Sequence, residues 1–410
     1  MLKVSVIGLG YIGLPTAAFI ANQKFNVQGV DVDHKIIRKI NHNNISVIGE
    51  DKINKILKKT IKQGFFKASL TIKPSDIFII CVPTPVTKDK KPDYSIVYKA
   101  AKQIALVLKK NDLIIIESTV GPGVTRDISL YLQKLRKDLI FPHKPNANIF
   151  IAHCPERVIP GNIYHEFLFN HKIIGGMSNK CTIYSKNFYR KFIKGQLHAT
   201  DALTAELCKV TENSFRDVNI AFVNELDLVC QKQQIDTKKL IKLCNLHPRV
   251  NLLNPGPGVG GHCIPVDPYF LINKNKDITK LIQTSRIINE EKPLNVVKNI
   301  LKKINLISKE KKISKKELQI YFYGLTYKEN VNDFRNSPAL QILTNLSKST
   351  KVRIVGIDPF LSKNLLKYKN IKFFKYKKPT NADLIIYAVN HKAFKKINFS
   401  KYKEKLISLI

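Results

Sequence analysis

The feature that most constrains the fold is a glycine-rich turn between a strand pattern and a helix pattern near the start of the chain. The apolar pattern from Lys3 to Gly8 continues directly into Gly8-Leu-Gly-Tyr-Ile-Gly13, and a helical pattern follows from Leu14 to Asn22. Glycines at this spacing permit a tight turn, a close backbone approach to a pyrophosphate and close packing of helix on strand. The sequence therefore predicts a dinucleotide-binding Rossmann unit.

A carboxylate in the next strand pattern indicates which dinucleotide is bound. The pattern from Asn26 to Val32 places Asp31 18 residues after Gly13. A carboxylate there can hold the adenosine ribose hydroxyls of NAD, so we expect NAD rather than NADP. The predicted cofactor contacts in this region are Gly8, Gly10, Tyr11, Ile12, Gly13 and Asp31.

Two further strand patterns, Asp76–Val82 and Asp112–Glu117, each end in a polar turn. The carboxyl ends of strands line the ligand crevice of a doubly wound sheet, so Thr84 and Thr119 are candidates to contact the cofactor. Ordinary turn chemistry explains the two threonines equally well.

Length and composition limit the class of protein. The 410 residues, 44% of them hydrophobic, suffice for two or three domains with cores of their own. No run reaches the roughly 18 apolar residues of a membrane span, and a strand pattern stands where a signal peptide would be, so we expect a cytoplasmic protein. The seven cysteines show no Cys-x-x-Cys spacing, and we expect neither disulfides nor a metal site.

A formal charge of +38 is typical of proteins that bind polyanions. Only ten of the 69 basic residues are Arg, the residue that forms bidentate bonds with phosphates and bases, and the lysines are spread along the chain. We therefore interpret the charge as solvated surface and expect no specific nucleic-acid partner.

A long helical pattern runs from about Thr200 to Gln234. On one face, Lys209, Asn213 and Arg216 recur at i, i+4 and i+7, where they either face a ligand or form a solvated stripe. Apolar residues follow helical spacing on another face; they are Leu203, Leu207, Val210, Phe222, Leu226 and Val229.

Four glycines precede a cysteine in Gly256-Pro-Gly-Val-Gly-Gly-His-Cys-Ile-Pro-Val-Asp267. Such a loop can clear room for a ligand and present Cys263 as a nucleophile. A buried, inert cysteine in a glycine-rich turn fits the same pattern.

The last part of the chain repeats the opening pattern. After a Lys-rich stretch, Ser308–Glu317, which predicts an exposed connection, strand patterns recur at Gln319–Gly324, Lys351–Asp358 and Asp383–Val389. The first turn lacks the later glycines and carries Lys328 and Arg335, which suit a ligand phosphate. We predict an α/β fold of two Rossmann-like doubly wound parallel sheets joined by a long central helical region, with domains at 1–195, 196–305 and 318–410.

Six motifs occur in order along nearly the whole chain. They are Gly8-Leu-Gly-Tyr-Ile-Gly-Leu-Pro15, Glu117-Ser-Thr-Val120, Cys154-Pro-Glu-Arg157, Glu206-Leu-Cys-Lys-Val-Thr-Glu-Asn213, Gly258-Val-Gly-Gly-His-Cys263 with Asp267, and Gly324-Leu-Thr-Tyr-Lys328 with Arg335. Together they resemble the nucleotide-sugar (UDP-glucose/GDP-mannose) 6-dehydrogenase family. The resemblance implies an oxidoreductase that uses NAD to oxidise the C6 alcohol of a UDP-sugar to a carboxylate. It also implies a UDP-sugar site in the last domain and a homodimer or higher homo-oligomer.

The same resemblance implies roles for particular residues. Cys263 would hold the intermediate as a thiohemiacetal and then a thioester between two hydride transfers. Lys209 would stabilise the oxyanion, Asp267 with Asn213 would position or deprotonate water, and Glu156 would assist as a base. The implied substrate contacts are Arg157, Val158, Lys209, Asn213, Arg216, His247, Arg249, Gly260, Tyr327 and Lys328, with Arg335 near the cofactor pyrophosphate and Arg249 serving a neighbouring subunit.

The stretches Pro155–Asn162 and Phe215–Ala221 most resemble family members that act on UDP-N-acetyl-D-mannosamine. UDP-N-acetylglucosamine and UDP-glucose are alternative substrates, and a catalytically inactive polyanion-binding protein on the same scaffold is a remote alternative. Two features depart from the family pattern. The chain ends at Leu406–Ile410, so we expect a C-terminal substrate-binding arginine to be missing, and Asn332 and Asn336 replace acidic residues.

Overall fold

The structure of the protein is a computed structural model that describes residues 1–47, 49–159, 161–361 and 371–410. The chain divides into two compact units. The first unit comprises Met1–Glu212 and Tyr269–Asn275, and the second comprises Asn213–Pro268 and Lys276–Ile410. The predicted domain limits at 195, 305 and 318 stay a prediction.

The first unit contains a sheet of eight described strands. They are β1 (Lys3–Ile7), β2 (Asn26–Val30), β3 (Phe66–Ser69), β4 (Ile77–Ile80), β5 (Leu113–Ile116), β6 (Phe150–His153), β7 (Lys172–Gly176) and β8 (Leu197–Asp201). They lie in the order β3-β2-β1-β4-β5-β6-β7-β8. The predicted Rossmann-like sheet is confirmed. Its neighbouring strands are parallel except β6 and β7, an antiparallel junction that the sequence patterns did not indicate.

Helices cover both faces of this sheet because the side chains of its strands alternate between two apolar clusters. Val6 and Ile79 belong to one cluster, whereas Ile7 and Ile80 belong to the other. Each such fully buried side chain contributes about 1.5–3 kcal/mol relative to an exposed one. The helices of this unit are α1 (Gly13–Asn22), α2 (His34–Asn41), α3 (Asp51–Lys62), α4 (Ser95–Ala105), α5 (Val124–Leu135), α6 (Ile163–Phe169) and α7 (Asn179–Tyr189).

The second unit contains a smaller sheet whose described strands are all parallel to their neighbours. The strands are β9 (Gln319–Tyr323), β10 (Arg353–Ile357), β11 (Ile371–Phe374), β12 (Leu384–Tyr387) and β13 (Leu406–Ser408). Their order, β11-β10-β9-β12-β13, repeats the order β3-β2-β1-β4-β5 of the first sheet. The predicted second Rossmann-like sheet is therefore confirmed.

The predicted long central helix is also present. The remaining helices are α8 (Ala202–Gln233), α9 (Thr237–Cys244), α10 (Pro268–Ile272), α11 (Lys280–Lys311) and α12 (Pro338–Ser349), with 3-10 turns at Lys392–Lys396 and Phe399–Lys405. Since α11 continues to Lys311, the prediction of a connection from Ser308 is wrong for its first four residues. Lysine is a good helix former, so a Lys-rich stretch does not by itself end a helix.

Buried polar contacts hold α8 against α11 within the second unit. The Arg286 guanidinium donates to Asp217 at 2.6 Å, and Lys292 Nζ lies 2.7 Å from Asp227 Oδ2. Among the described helices, none is both long and apolar enough to span a membrane.

Candidate active site

The turn after β1 depends on glycine at two positions. Gly8 has φ +93°, and a Cβ on it would lie 2.6 Å from the carbonyl oxygen of Cys81. A Cβ on Gly13 would lie only 1.8 Å from the carbonyl oxygen of Gly8. Gly10, by contrast, has no atom of the described residues within 4 Å of its Cβ position. The outer glycines let the turn pack against its own backbone, and the middle one leaves open space for a ligand.

Asp31 is fixed at the end of β2, beside this turn. Its Oδ2 accepts a hydrogen bond from Leu9 N–H at 2.7 Å, and its Oδ1 accepts one from Asp33 N–H at 2.9 Å. Helix α1 begins after Ile12 with no side chain capping its first turn, so its N-terminus is suited to an anion. The open space at Gly10, this helix end and the Asp31 carboxylate together fit NAD.

The next two strand ends continue the same edge of the sheet. Thr84 follows β4, Thr119 follows β5, and both are half-buried. The turn that carries Thr119 is anchored at both ends. Ser118 donates its hydroxyl to Val82 O at 2.8 Å, and the Glu206 carboxylate accepts from Gly123 N–H at 2.6 Å. Glu206 also accepts from Thr125 N–H at 2.7 Å and thus caps α5.

Residues that follow β6 form a charged cluster at this edge. Glu156 Oε1 accepts from Arg157 N–H at 2.8 Å, and Glu156 Oε2 accepts from Lys172 Nζ at 2.9 Å. The Arg157 guanidinium donates to Glu212 at 2.7 Å and also to the carbonyl oxygen of His171. Both Glu156 and Arg157 are therefore held in place within the first unit.

Within the second unit, hydrogen bonds link three predicted site residues, Cys263, Asp267 and Asn213. The carbonyl oxygen of Cys263 accepts a hydrogen bond from Asp267 N–H at 2.8 Å. Asp267 is 3% exposed, and its Oδ2 accepts from Asn213 Nδ2 at 2.5 Å. Cys263 itself is half-buried. The arrangement joins the Asp267 carboxylate to the Asn213 amide and the Asp267 backbone to that of Cys263.

The glycines before Cys263 pack against the protein itself. A Cβ on Gly258 would lie 2.9 Å from Pro293, one on Gly260 2.7 Å from Pro338, and one on Gly261 2.9 Å from the ring of Tyr327. At these three positions the missing Cβ lets the loop pack closely against the protein, and the expected room for a ligand stays a prediction. At Gly256, no atom in the part of the chain that the structure describes lies within 4 Å of the Cβ position.

The segment before α12 also holds this loop. Asn336 Nδ2 donates to the carbonyl oxygen of Gly261 at 2.9 Å, and Gly261 N–H donates to the carbonyl oxygen of Arg335 at 3.1 Å. The Arg335 guanidinium pairs with Asp333 at 2.6 Å and lies 3.1 Å from His262 Nδ1. Burial, together with the charge of Asp333, raises the pKa of the Tyr327 hydroxyl.

The other predicted substrate residues are more dispersed. Lys209 is half-buried one turn before Asn213 on α8, and Arg216 is exposed on the same helix. His247 and Arg249 are exposed in the turn after α9. Val158 and Lys328 are half-buried, and the Lys328 carbonyl oxygen accepts from the Thr326 hydroxyl at 2.9 Å.

Protein-family models account for most of the chain. The NAD-binding domain model of the UDP-glucose/GDP-mannose dehydrogenase family matches residues 2–193, the central domain model matches 203–291, and the UDP-binding domain model matches 321–408. The chain belongs to this family. The resemblance predicted from the motifs is confirmed, as are the NAD cofactor and the UDP-sugar partner.

Individual members of the UDP-glucose/GDP-mannose dehydrogenase family are similar over almost their whole length. The UDP-N-acetyl-D-mannosamine dehydrogenase of Campylobacter jejuni is 43% identical over 97% of this chain and 98% of its own. The NDP-N-acetyl-D-galactosaminuronic acid dehydrogenase of Ralstonia solanacearum is 38% identical over 98% and 94%. The solved structure of the UDP-D-ManNAc dehydrogenase of Pyrococcus horikoshii has a TM-score of 0.87 and 36% identity, covering 99% of this chain and 94% of its own.

As a UDP-glucose/GDP-mannose dehydrogenase, the protein is an oxidoreductase that uses NAD and acts on a UDP-sugar.

The sequence patterns missed Lys172, Tyr189 and the capping role of Glu206. Lys172 had one local signal, because it is a charged residue that directly precedes the apolar run Ile173-Ile-Gly-Gly176. Tyr189 and Glu206 had none, since their partners are far away in sequence.

Proposed function

We propose that this family member oxidises the C6 alcohol of UDP-N-acetyl-D-mannosamine to the carboxylate of UDP-N-acetyl-D-mannosaminuronate. For each sugar, the alcohol, two NAD+ and one water become the carboxylate, two NADH and three protons. The names of the Campylobacter jejuni and Pyrococcus horikoshii proteins support this substrate. The motif Pro155–Asn162 supports it too, although its Pro160 lies outside the described residues.

The observation that carries the proposed chemistry is the group of Cys263, Asp267 and Asn213. A thiol can hold an aldehyde covalently between two oxidations, and the adjacent carboxylate can accept a proton from water. Because Asp267 is buried and bonded to Asn213 at 2.5 Å, its carboxylate has one fixed orientation. A fixed orientation suits a group that must direct a water molecule at a carbonyl carbon.

The chemistry proceeds through an intermediate held on the protein. When bound, NAD+ supplies the hydride acceptor, one molecule for each oxidation. Cys263 Sγ adds to the carbon of the aldehyde, and the thiohemiacetal becomes a thioester when it loses the second hydride. Water then adds to the thioester, the C–S bond breaks, and the thiolate is released.

Other residues assist these steps. Lys209 stabilises the negative oxygen of the thiohemiacetal and of the hydrolysis intermediate, as an ammonium group can. Glu156 accepts the proton of the C6 alcohol or of water. The proposed substrate contacts are Arg157, Val158, Arg216, His247, Arg249, Gly260, Tyr327 and Lys328, and Arg335 is proposed to contact the cofactor pyrophosphate.

A sugar panel tests the substrate. Purified protein, NAD+ and one UDP-sugar at a time are followed by absorbance of NADH, with UDP-N-acetylmannosamine, UDP-N-acetylglucosamine, UDP-N-acetylgalactosamine and UDP-glucose. We expect the highest kcat/KM with UDP-N-acetylmannosamine and loss of turnover in Cys263→Ala. Cys244→Ala, which changes a half-buried thiol outside the proposed site, is the matched control and should keep full turnover. A higher kcat/KM with any other sugar would contradict the assignment.

We also infer a homodimer paired through α8. Apolar side chains on this helix are exposed in the single chain, among them Leu203 at 50%, Phe215 at 67%, Phe222 at 55% and Val229 at 54%. Exposed apolar patches of this kind often mark an interface between subunits. Light scattering should give twice the mass of the chain, and Phe222→Asp should shift it towards the monomer. A wild-type monomer at micromolar concentration would contradict this inference.

A reaction that consumes NAD+ and a UDP-sugar is expected in the cytoplasm.

A further inference from the structure

Lys172 is a charged residue at the start of a buried strand. It is the first residue of β7 and is 4% exposed. Strand β7 runs antiparallel to β6, with Ala152 opposite Gly176 and His153 opposite Gly175. Continued along both strands, this register sets Lys172 opposite Glu156. The antiparallel junction thus brings a cation to the edge of the sheet where β6 ends, whereas a parallel β7 would begin at the other edge.

The Lys172 ammonium lies between two carboxylates that come from different strand ends. Its Nζ is 2.9 Å from Glu156 Oε2 and 3.3 Å from Glu117 Oε1. The side chain of Glu117 is fully buried, and that of Glu156 is 10% exposed. Two buried carboxylates that contact the same ammonium group would repel each other strongly without it. Lys172 is the cation that the structure supplies.

The remaining partners of Glu117 are neutral. Tyr189 donates its hydroxyl to Glu117 Oε1 at 2.5 Å, and Cys81 Sγ lies 3.2 Å from Glu117 Oε2. Burial and the nearby Glu117 charge raise the pKa of both groups, so neither is ionised at neutral pH. The charged groups here are therefore the carboxylates of Glu117 and Glu156 and the ammonium of Lys172.

The other titratable groups that face Lys172 add no charge to these two carboxylates and one ammonium. Burial raises the pKa of the Cys154 thiol to about 12. Burial lowers the pKa of His153 to about 3, with smaller effects from Lys172 and Lys209. Burial alone would lower the pKa of Lys172, but the charges of Glu156 and Glu117 outweigh it and raise that pKa above its usual value. Lys172 is therefore charged throughout the neutral range.

We propose that Lys172 is a positioning residue that pairs with the carboxylates of Glu156 and Glu117 and orients Glu156 for proton transfer, a role that rests on the proposed function of Glu156 as a base. Lys172 holds one carboxylate oxygen of Glu156, while the backbone N–H of Arg157 holds the other. It also offsets the charge of Glu117, which would otherwise favour protonation of its neighbour.

The test is the pH profile of kcat/KM for the UDP-sugar between pH 5 and 10. In Lys172→Met the two carboxylates cannot both stay ionised, so we expect the acid limb to move up by about one pH unit or more. The KM for NAD+ should stay near the wild-type value while kcat falls. In the double variant Lys172→Met/Glu117→Gln, one carboxylate has been removed, so more than half of the shift should be recovered. Lys172→Arg keeps the charge and should keep the wild-type acid limb.

A buried lysine elsewhere gives a matched control. Lys292 is 5% exposed and lies 2.7 Å from Asp227 in the second unit. Lys292→Met should lower the melting temperature without moving the acid limb. A folded Lys172→Met protein with the wild-type acid limb would overturn the role of Lys172, and so would a double variant shifted as far as the single one.

A measurement without substrate separates this role from the proposed function. The melting temperature of Lys172→Met should fall further below wild type at pH 8 than at pH 5.5, because protonation relieves the repulsion between the carboxylates. An equal fall at both pH values would overturn the charge pairing. Wild-type protein that oxidises no UDP-sugar would instead contradict the proposed function, while the melting comparison still decides the pairing.

Discussion

In both Rossmann-like sheets a carboxylate follows the second strand, but the burial of this carboxylate differs between the sheets. Asp31 follows β2 and accepts from Leu9 N–H at 2.7 Å, and Asp358 follows β10 and accepts from Leu325 N–H at the same distance. Asp31 is half-buried, whereas Asp358 is fully buried. The second carboxylate has become part of the core, and it cannot bind a ribose.

In the second sheet, the imidazole of His391 lies beside the Asp358 carboxylate. Its Nδ1 accepts from Asn330 N–H at 3.0 Å, so the proton is on Nε2, which lies 3.1 Å from Asp358 Oδ2. The same nitrogen is 3.1 Å from the hydroxyl of Thr326, the counterpart of Gly10 in the first sheet. The turn that leaves open space at Gly10 in the first sheet is closed by side chains in the second. The strand order is common to both sheets, and these side chains are what distinguishes their sites.

The largest difference between the sheets should appear at Gly13. Its Cβ position is 1.8 Å from a backbone oxygen, which cannot move aside without deforming the turn. We expect Gly13→Ala to lower the free energy of unfolding by about 3 kcal/mol and to abolish NAD+ binding. Urea unfolding and calorimetric titration with NAD+ measure the two effects. The counterpart in the second sheet is Glu329, which is exposed, so Glu329→Ala should change stability by less than about 0.5 kcal/mol. Equal effects of the two substitutions would contradict the comparison.

Asp358→Asn should destabilise the protein by about 2 to 3 kcal/mol, because it replaces one of two buried acceptor oxygens with an NH2 group. Oδ2 accepts from Leu325 and Thr326 N–H at 2.7 and 3.2 Å, and Oδ1 accepts from Phe360 N–H at 2.8 Å. NAD+ affinity should be unchanged. Denaturant unfolding and NAD+ titration of the same sample measure both quantities. Weaker NAD+ binding with unchanged stability would show that Asp358 has a ligand role after all.

The burial of His153 in the first sheet predicts that the free energy of unfolding depends on pH. Burial lowers the pKa of His153 to about 3, so the fold favours its neutral form. That stabilisation is complete above the unfolded-state pKa of about 6.5 and is lost as the pH falls towards 3. The contribution of His153 at pH 5 should be about 2 kcal/mol smaller than at pH 7.5. His153→Gln should remove this part of the acid destabilisation in urea unfolding at the two pH values. A variant that loses as much stability as wild type between pH 7.5 and pH 5 would contradict this prediction.

Asp31→Asn should have a small effect on stability and a clear one on cofactor affinity. The amide keeps an acceptor for Leu9 N–H, so unfolding should change by about 1 kcal/mol or less. Loss of the charged acceptor for the ribose hydroxyls should weaken NAD+ binding about tenfold. Calorimetric titration with NAD+ measures this. Unchanged NAD+ affinity would remove Asp31 from the cofactor site.

Local spacing was sufficient to predict both sheets, whereas the cofactor and substrate contacts that it indicates stay predictions. The glycines at 8, 10 and 13 and the carboxylate at 31 have roles that follow from backbone geometry. The pairing of Lys172 with two distant glutamates could not be predicted, because it depends on the antiparallel register of β6 and β7. His391 likewise reaches Asp358 across 33 positions, and nothing in its own neighbours signals that contact.

Counting bound nucleotides tests most directly the claim that the two sheets take different ligands. Calorimetric titration of the wild-type protein with NAD+ should give one site per chain. Titration of the NAD+-saturated protein with UDP should then give one further site, with an affinity that Gly13→Ala leaves intact. Two NAD+ sites per chain, or UDP binding that competes with NAD+, would contradict the account.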